Sequence, residues 1–191
     1  MKKLWLMIIA TLLVSACGAA GGGSPKLDVK VGGKASTLNL KSGGVYYGNV
    51  ISTSPGNPNV QTFAHDIYLA NYEMDTTSPV TMRKPLTAPD QMRVELQLTG
   101  EDGTNPDSPF KIATYSAKAD KINRVRSIIV VTFADGKETK TNFDTMGLTP
   151  KADGDVKITA ITADSISGEV NLSEGDKSIK GTFTAKLPKA K

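Results

Sequence analysis

Residues 165–187 read Ser-Ile-Ser-Gly-Glu-Val-Asn-Leu-Ser-Glu-Gly-Asp-Lys-Ser-Ile-Lys-Gly-Thr-Phe-Thr-Ala-Lys-Leu. Apolar or small residues alternate with polar ones on both sides of a Glu-Gly-Asp turn, the period of two that marks strands with one wet face. The two halves set each other's register. Ile166, Gly168, Val170 and Leu172 form one face, and Ile179, Gly181, Phe183, Ala185 and Leu187 form the facing set. With 173–178 as the turn, Gly168 falls opposite Phe183 and Gly181 opposite Val170, so each glycine leaves room for a bulky cross-strand neighbour.

The same period runs upstream. Val156 to Ile161 joins the hairpin as a meander, and Leu27, Val29 and Val31 alternate with Asp28 and Lys30. Phe63 to Tyr72 puts Phe63, His65, Ile67 and Leu69 on one face and Asp66, Tyr68 and Tyr72 on the other. Met92 to Leu98 reads as a strand with one wet face. Ile122 to Phe133 is the most apolar stretch after the N-terminal region and is expected at the centre of the sheet system, with Val125, Ile129, Val131 and Phe133 on one face and Ile128 and Val130 on the other. Asp135-Gly136 follows as a hairpin turn. Gly43-Gly44 reads as a turn, Ser54 to Asn59 as a loop because of its prolines and glycine, and Thr87 to Asp90 as the opening of one helical turn. No helical period longer than a turn is found after residue 25. The expected fold is all-β, an antiparallel β-sandwich or irregular β-barrel of about ten short strands, with long Pro/Gly-rich loops at 73–91 and 101–109.

The N-terminus carries a different pattern. Lys2-Lys3 precedes an apolar run from Leu4 to Val14, which falls short of the roughly 20 residues a spanning helix needs. Leu12-Leu13-Val14-Ser15-Ala16-Cys17 resembles the lipobox of bacterial lipoproteins. The resemblance implies a signal peptide over 1–16 and a Cys17 carrying a diacylglycerol thioether and an acylated amine, inserted in a lipid bilayer. The chain would then divide into the signal peptide, a lipidated cysteine with a Gly/Ser tether over 17–25, and one domain over 26–191 with a short basic tail. Gly18 stands where an aspartate retains many Gram-negative lipoproteins at the inner membrane, so the resemblance leans toward the outer membrane. The tether and meander are also loosely similar to surface lipoproteins built from β-barrels.

Removing residues 1–16 lowers the formal charge from +4 to +2, so the basic balance is partly a property of the signal peptide and offers little support for nucleic-acid binding. Cys17 is the only cysteine, so the domain has no disulfide and relies on core burial. The single His65 excludes metal sites that need two histidines; its neighbour Asp66 points to the opposite strand face, so the two form no dyad.

Glu101, Asp102, Asn105 and Asp107 place four oxygen-bearing side chains within seven residues. Calcium takes such ligands, but the spacing misses the EF-hand loop, and a solvated turn is the plainer account. If consecutive strands run antiparallel, the 101–109 loop shares one end of the domain with 52–62 and Asp135-Gly136. The 73–91 loop then lies at the other end with 146–155 and 173–177, making Tyr72, Met74, Met82, Arg83 and Lys84 a candidate partner-binding loop. The terminal Lys191 matches, in one residue only, the lysine through which some envelope lipoproteins join peptidoglycan. No Gly-X-Ser-X-Gly elbow, phosphate-binding glycine loop or His-Glu-X-X-His occurs. The expectation is an envelope protein that binds a protein or glycan, or serves structurally, with no cofactor. The alternatives are a lipocalin-like carrier of a lipophilic ligand and an envelope hydrolase built on paired carboxylates.

Overall fold

A computed structural model describes residues 24–54, 57–101, 103–105, 108–120, 122–146 and 149–189, with backbone only for 49–54 and 57–61. Eleven strands are formed: β1 (Lys26–Val31), β2 (Lys34–Asn39), β3 (Ser42–Ser54), β4 (Asn57–Ala70), β5 (Met92–Thr99), β6 (Thr114–Ser116), β7 (Arg124–Ala134), β8 (Lys137–Asn142), β9 (Asp153–Ile161), β10 (Ser165–Glu174) and β11 (Lys177–Lys186). One helical turn, α1 (Pro79–Met82), interrupts them.

The sheet closes. Eight strands follow one another in the order β3-β4-β5-β7-β6-β9-β10-β11, and β11 returns to β3 through Lys186 beside Gly44. Of the two expected all-β architectures, this is the barrel. Two strands share an edge between two partners. β11 gives part of one edge to β1, from Ser178 to Gly181, before meeting β3. β7 meets β6 at Arg124 and then β8 from Ile129 to Ala134. The β1–β2 hairpin and β8 are therefore flaps outside the ring.

An eight-stranded barrel is just wide enough for its inward side chains to fill it. Val45, Ile67, Leu69, Val94, Leu96, Leu98, Val125, Ile128, Val130, Val156, Ile158, Ile166, Leu172 and Phe183 are all buried on this inner face. Each is worth about 1.5–3 kcal/mol relative to exposure, which is how a disulfide-free chain holds together.

The terminal hairpin has the register expected from its sequence, with Gly168 opposite Phe183 and Val170 opposite Gly181. A Cβ on Gly168 would lie 2.7 Å from Phe183 Cζ, so the ring occupies the glycine's missing side chain. Gly181 has a second reason to be glycine: its φ is +142°, and a Cβ there would strike the backbone of Lys26 on β1.

Several expectations are corrected. Gly43-Gly44 is not a turn but the start of β3, where a Cβ on Gly43 would sit 2.5 Å from Thr184 O and one on Gly44 2.6 Å from Met82 Sδ. The glycines serve close approach rather than reversal. The expected loop 54–59 is bounded by ladder: Ser54 pairs with Asn57, and the register shift between Thr53 and Ser54 leaves Pro58 and Asn59 outside the pairing. The helical turn is at Pro79–Met82, capped by Ser78, rather than at 87–90.

The face assignment of 122–133 is also revised. A register shift between Gln97 and Leu98 leaves Arg126 unopposed, so Val125 joins Ile128 and Val130 on the inside, while Ile129 and Val131 face out. Finally, β6 and β7 run parallel, so the alternation used to group the loops fails after β6. The Asp135-Gly136 hairpin reaches the 71–91 segment instead, where Leu86 N donates to Glu138 Oε2 at 3.1 Å.

Candidate functional site on the outer wall

Residues 71–91 cross the outside of β4, β5 and β7 as a strap. Asn71 fastens its two ends: its Nδ2 donates to Asp90 O at 2.6 Å and its Oδ1 accepts from Met92 N at 2.8 Å. Gln91 Oε1 accepts from Thr87 N and Ala88 N. Ser78 and Thr81 form a reciprocal capping box around α1. Met82 and Leu86 are buried beneath the strap.

The alternate residues of β4, and Arg93 and Glu95 on the face of β5 expected to be wet, are covered by it. Arg93 is 1% exposed and donates to Glu95 Oε1 at 2.8 Å, Tyr72 OH at 3.0 Å and Lys84 O at 2.8 Å. Asp66 receives three donors: Arg83 Nη2 at 2.9 Å, Gln97 Nε2 at 2.8 Å and Tyr68 OH at 3.2 Å. Arg83 Nε donates to Tyr68 OH at 2.5 Å, with the guanidinium 5.4 Å from the ring centre. Burial, followed by the nearby Asp66 charge, holds the Tyr68 phenol well above its ordinary range, so it stays a donor. These polar groups satisfy one another, which is what burial demands of them.

Beside the strap the wall opens. A cleft of about 120 Å³ is lined by Asp66, Tyr68, Arg83, Glu95, Gln97 and Ser127. A second, of about 340 Å³, shares Gln97 and Ser127 and runs on past Arg126, Asn142, Asp144, Thr145 and Met146. Together they form a polar groove between the strap and the segment after β8. The β7 bulge puts Arg126 here, and its Nη1 is buried with no hydrogen-bond partner among the described residues. Thr145 Oγ1 donates to Arg126 O at 2.5 Å, and Arg124 donates to Thr145 O, so both arginines tie the groove's far wall to β7. That wall is held from behind by Asp144 N donating to Glu174 Oε2 at 2.7 Å and Lys177 Nζ lying 5.0 Å over Phe143.

Within the barrel, His65 packs edge-on against Tyr47 at 4.7 Å and Phe110 at 5.1 Å. Its Nδ1 is buried with no hydrogen-bond partner among the described residues. Burial lowers its pKa, opposed by a backbone hydrogen bond to Ser108 and by Asp66. Tyr115, which stacks edge-on against Phe110, is pushed up to about 12, chiefly by burial. A space of only about 10 Å³ adjoins this cluster.

The structure separates the sequence-predicted residues. Tyr72, Arg83 and the Lys84 carbonyl belong to the strap's polar contacts, Met74 is half-buried, and Met82 is buried and thus no surface contact. Glu101 pairs with Lys111 at 2.6 Å, and Asn105 N donates to Ser108 Oγ; Asp102 and Asp107 lie outside the described residues. Among the described residues no three potential metal ligands cluster. Cys17 and Lys191 also lie outside them.

Gln97, Arg126, Ser127 and Asn142 were not singled out from sequence. One signal was available for Arg126 and Ser127: apolar residues change parity between Val125 and Ile128, as they do when a bulge intervenes. Comparisons with known proteins find no matching family model, no matching curated protein and no matching solved structure.

Proposed function

We propose that the chain is a bacterial envelope lipoprotein, anchored through Cys17, whose barrel binds a polar envelope partner on its outer wall without catalysis. The observation that carries the binding half is the combination of an inner face lined by buried apolar side chains with an external groove holding a guanidinium nitrogen that has no hydrogen-bond partner among the described residues. A filled barrel leaves little room for a lipophilic cargo, whereas a buried unpaired donor favours a ligand that completes it. Arginine presents a planar fork suited to carboxylates and phosphates. The strap is held to the wall because Arg83 pairs with Asp66 on β4 and Lys84 O accepts from Arg93 on β5. The anchoring half rests on the lipobox-like sextet at 12–17.

Each half has its own test. Fatty-acid labelling should mark the full chain and fail for Cys17→Ser; equal labelling of both removes the anchor. The domain from Ser24, immobilised and exposed to solubilised envelope extract, should retain a partner that Arg126→Ala loses at least about tenfold, the size of one charge-assisted hydrogen bond. Retention unchanged by Arg126→Ala moves the site away from the groove.

A further inference from the structure

Both termini of the domain emerge beside one another. Pro25 and Lys186 line the same cleft of about 240 Å³, together with Leu40, Lys41, Glu73 and Met74. Leu40 N donates to Pro25 O at 3.1 Å, and Lys186 lies beside Gly44 at the closing seam of the barrel. Residues separated by most of the chain thus gather at one end. Lys26, Lys41, Lys186 and Lys189 are all exposed around this point. The acidic residues beside it are Glu73, Asp75 between the cleft-lining Met74 and Thr76, and, through the Leu187 N to Asp164 O bond, Asp164. The end is net positive, and half-buried Leu40 and Met74 lie among the lysines.

We propose that this end of the barrel is a docking surface for anionic phospholipid headgroups. The occupant follows from where the chain goes next. Pro25 lies only eight positions after Cys17, and eight residues reach at most about 29 Å even when fully extended. A lipid on Cys17 therefore keeps this end within about 29 Å of the bilayer. Lysines brought to an anionic leaflet within a Debye length gain attraction, each strengthening binding about fivefold. Leu40 and Met74 give the surface an apolar centre suited to the headgroup layer. The inference rests on the anchor reading for its biological setting but makes a separate physical claim about the folded domain.

That separation sets the experiment. The eight ring strands lie after Ser24, so residues 24–191 contain the barrel and serve as the lipid-free test protein. Co-sedimentation with vesicles of phosphatidylglycerol and phosphatidylcholine should show binding that vanishes with phosphatidylcholine alone and weakens steeply with salt. Lys41→Glu with Lys186→Glu should cut it more than tenfold, while Lys137→Glu on the β7–β8 hairpin leaves it unchanged; circular dichroism confirms that each variant is folded. Equal binding to both vesicle types, or equal loss with Lys137→Glu, overturns the docking surface. If the full chain is labelled at Cys17 and the domain ignores anionic vesicles, the anchor stands and this inference falls. If the domain binds as described and no label appears, the surface stands and the anchor falls.

Discussion

The two faces of β5 carry opposite solutions to burial. Val94, Leu96 and Leu98 point into the barrel and meet only apolar or aromatic neighbours from β4 and β7 apart from His65. Arg93, Glu95 and Gln97, the residues between them, point outward; the first two are covered by the strap, Gln97 lines the groove beside it, and all three are paired charge to charge or donor to acceptor. The inner face is stabilised by removing hydrocarbon from water, which needs no partner in particular. The outer face is stabilised only while every member keeps its partner, since an orphaned buried charge costs more than the pair returns. One strand therefore contributes a tolerant core and an intolerant latch.

That contrast can be broken in order of effect. Arg93→Ala should be the most damaging change, destabilising by about 4 kcal/mol, because it orphans Glu95 and the Lys84 carbonyl together; Arg93→Met with Glu95→Leu should recover much of this in urea unfolding, and failure to recover would mean the arginine acts by shape. Leu96→Ala, one face over, should cost about 3 kcal/mol through its cavity, with no rescue by any partner change. Arg83→Ala should cost only about 1 kcal/mol globally, since its side chain is half exposed, but amide exchange in 78–88 should accelerate well before the strands respond. Uniform acceleration would show that the strap is not a separate unit.

The mildest test concerns His65, the one titratable imidazole of the inner face. Its folded-state pKa is lowered by burial, so below about pH 6.5 the unfolded chain takes up a proton that the folded chain resists. Stability should be flat above that pH and fall as pH drops toward the lowered folded value. Thermal melts at pH 7.5 and 5.5 should differ for the native chain and differ less for His65→Leu. The same difference in both assigns the pH dependence to carboxylates instead.

Much of the strand pattern was readable because a period of two reports which residues face water. The β10–β11 register, the β1 alternation and the inward set of β4 all follow from it. Reading failed wherever a residue's role is set by something distant in sequence. Gly43 and Gly44 look like a turn until Thr184 and Met82 are seen against them. The outward face of β5 looks wet until the strap covers it. A single unopposed residue, Arg126, reversed the parity of everything before it in β7 and built the wall of the groove. The candidate site was legible only in the strap residues Tyr72 and Arg83; the groove residues come from four strands and the segment after β8, and no local spacing relates them.

The sequence by itself determined an all-β domain held without disulfides, because alternation and cysteine count are local properties. It also carries the lipobox-like sextet, whose meaning depends on a short contiguous pattern. Tertiary structure decided that the sheet closes into a ring, that the two flaps stand outside it, and that both termini meet at one lysine-rich end. Closure depends on pairing Lys186 with Gly44, residues 142 apart, and the cost and reward of such a contact are shared by the whole ring rather than written at either position.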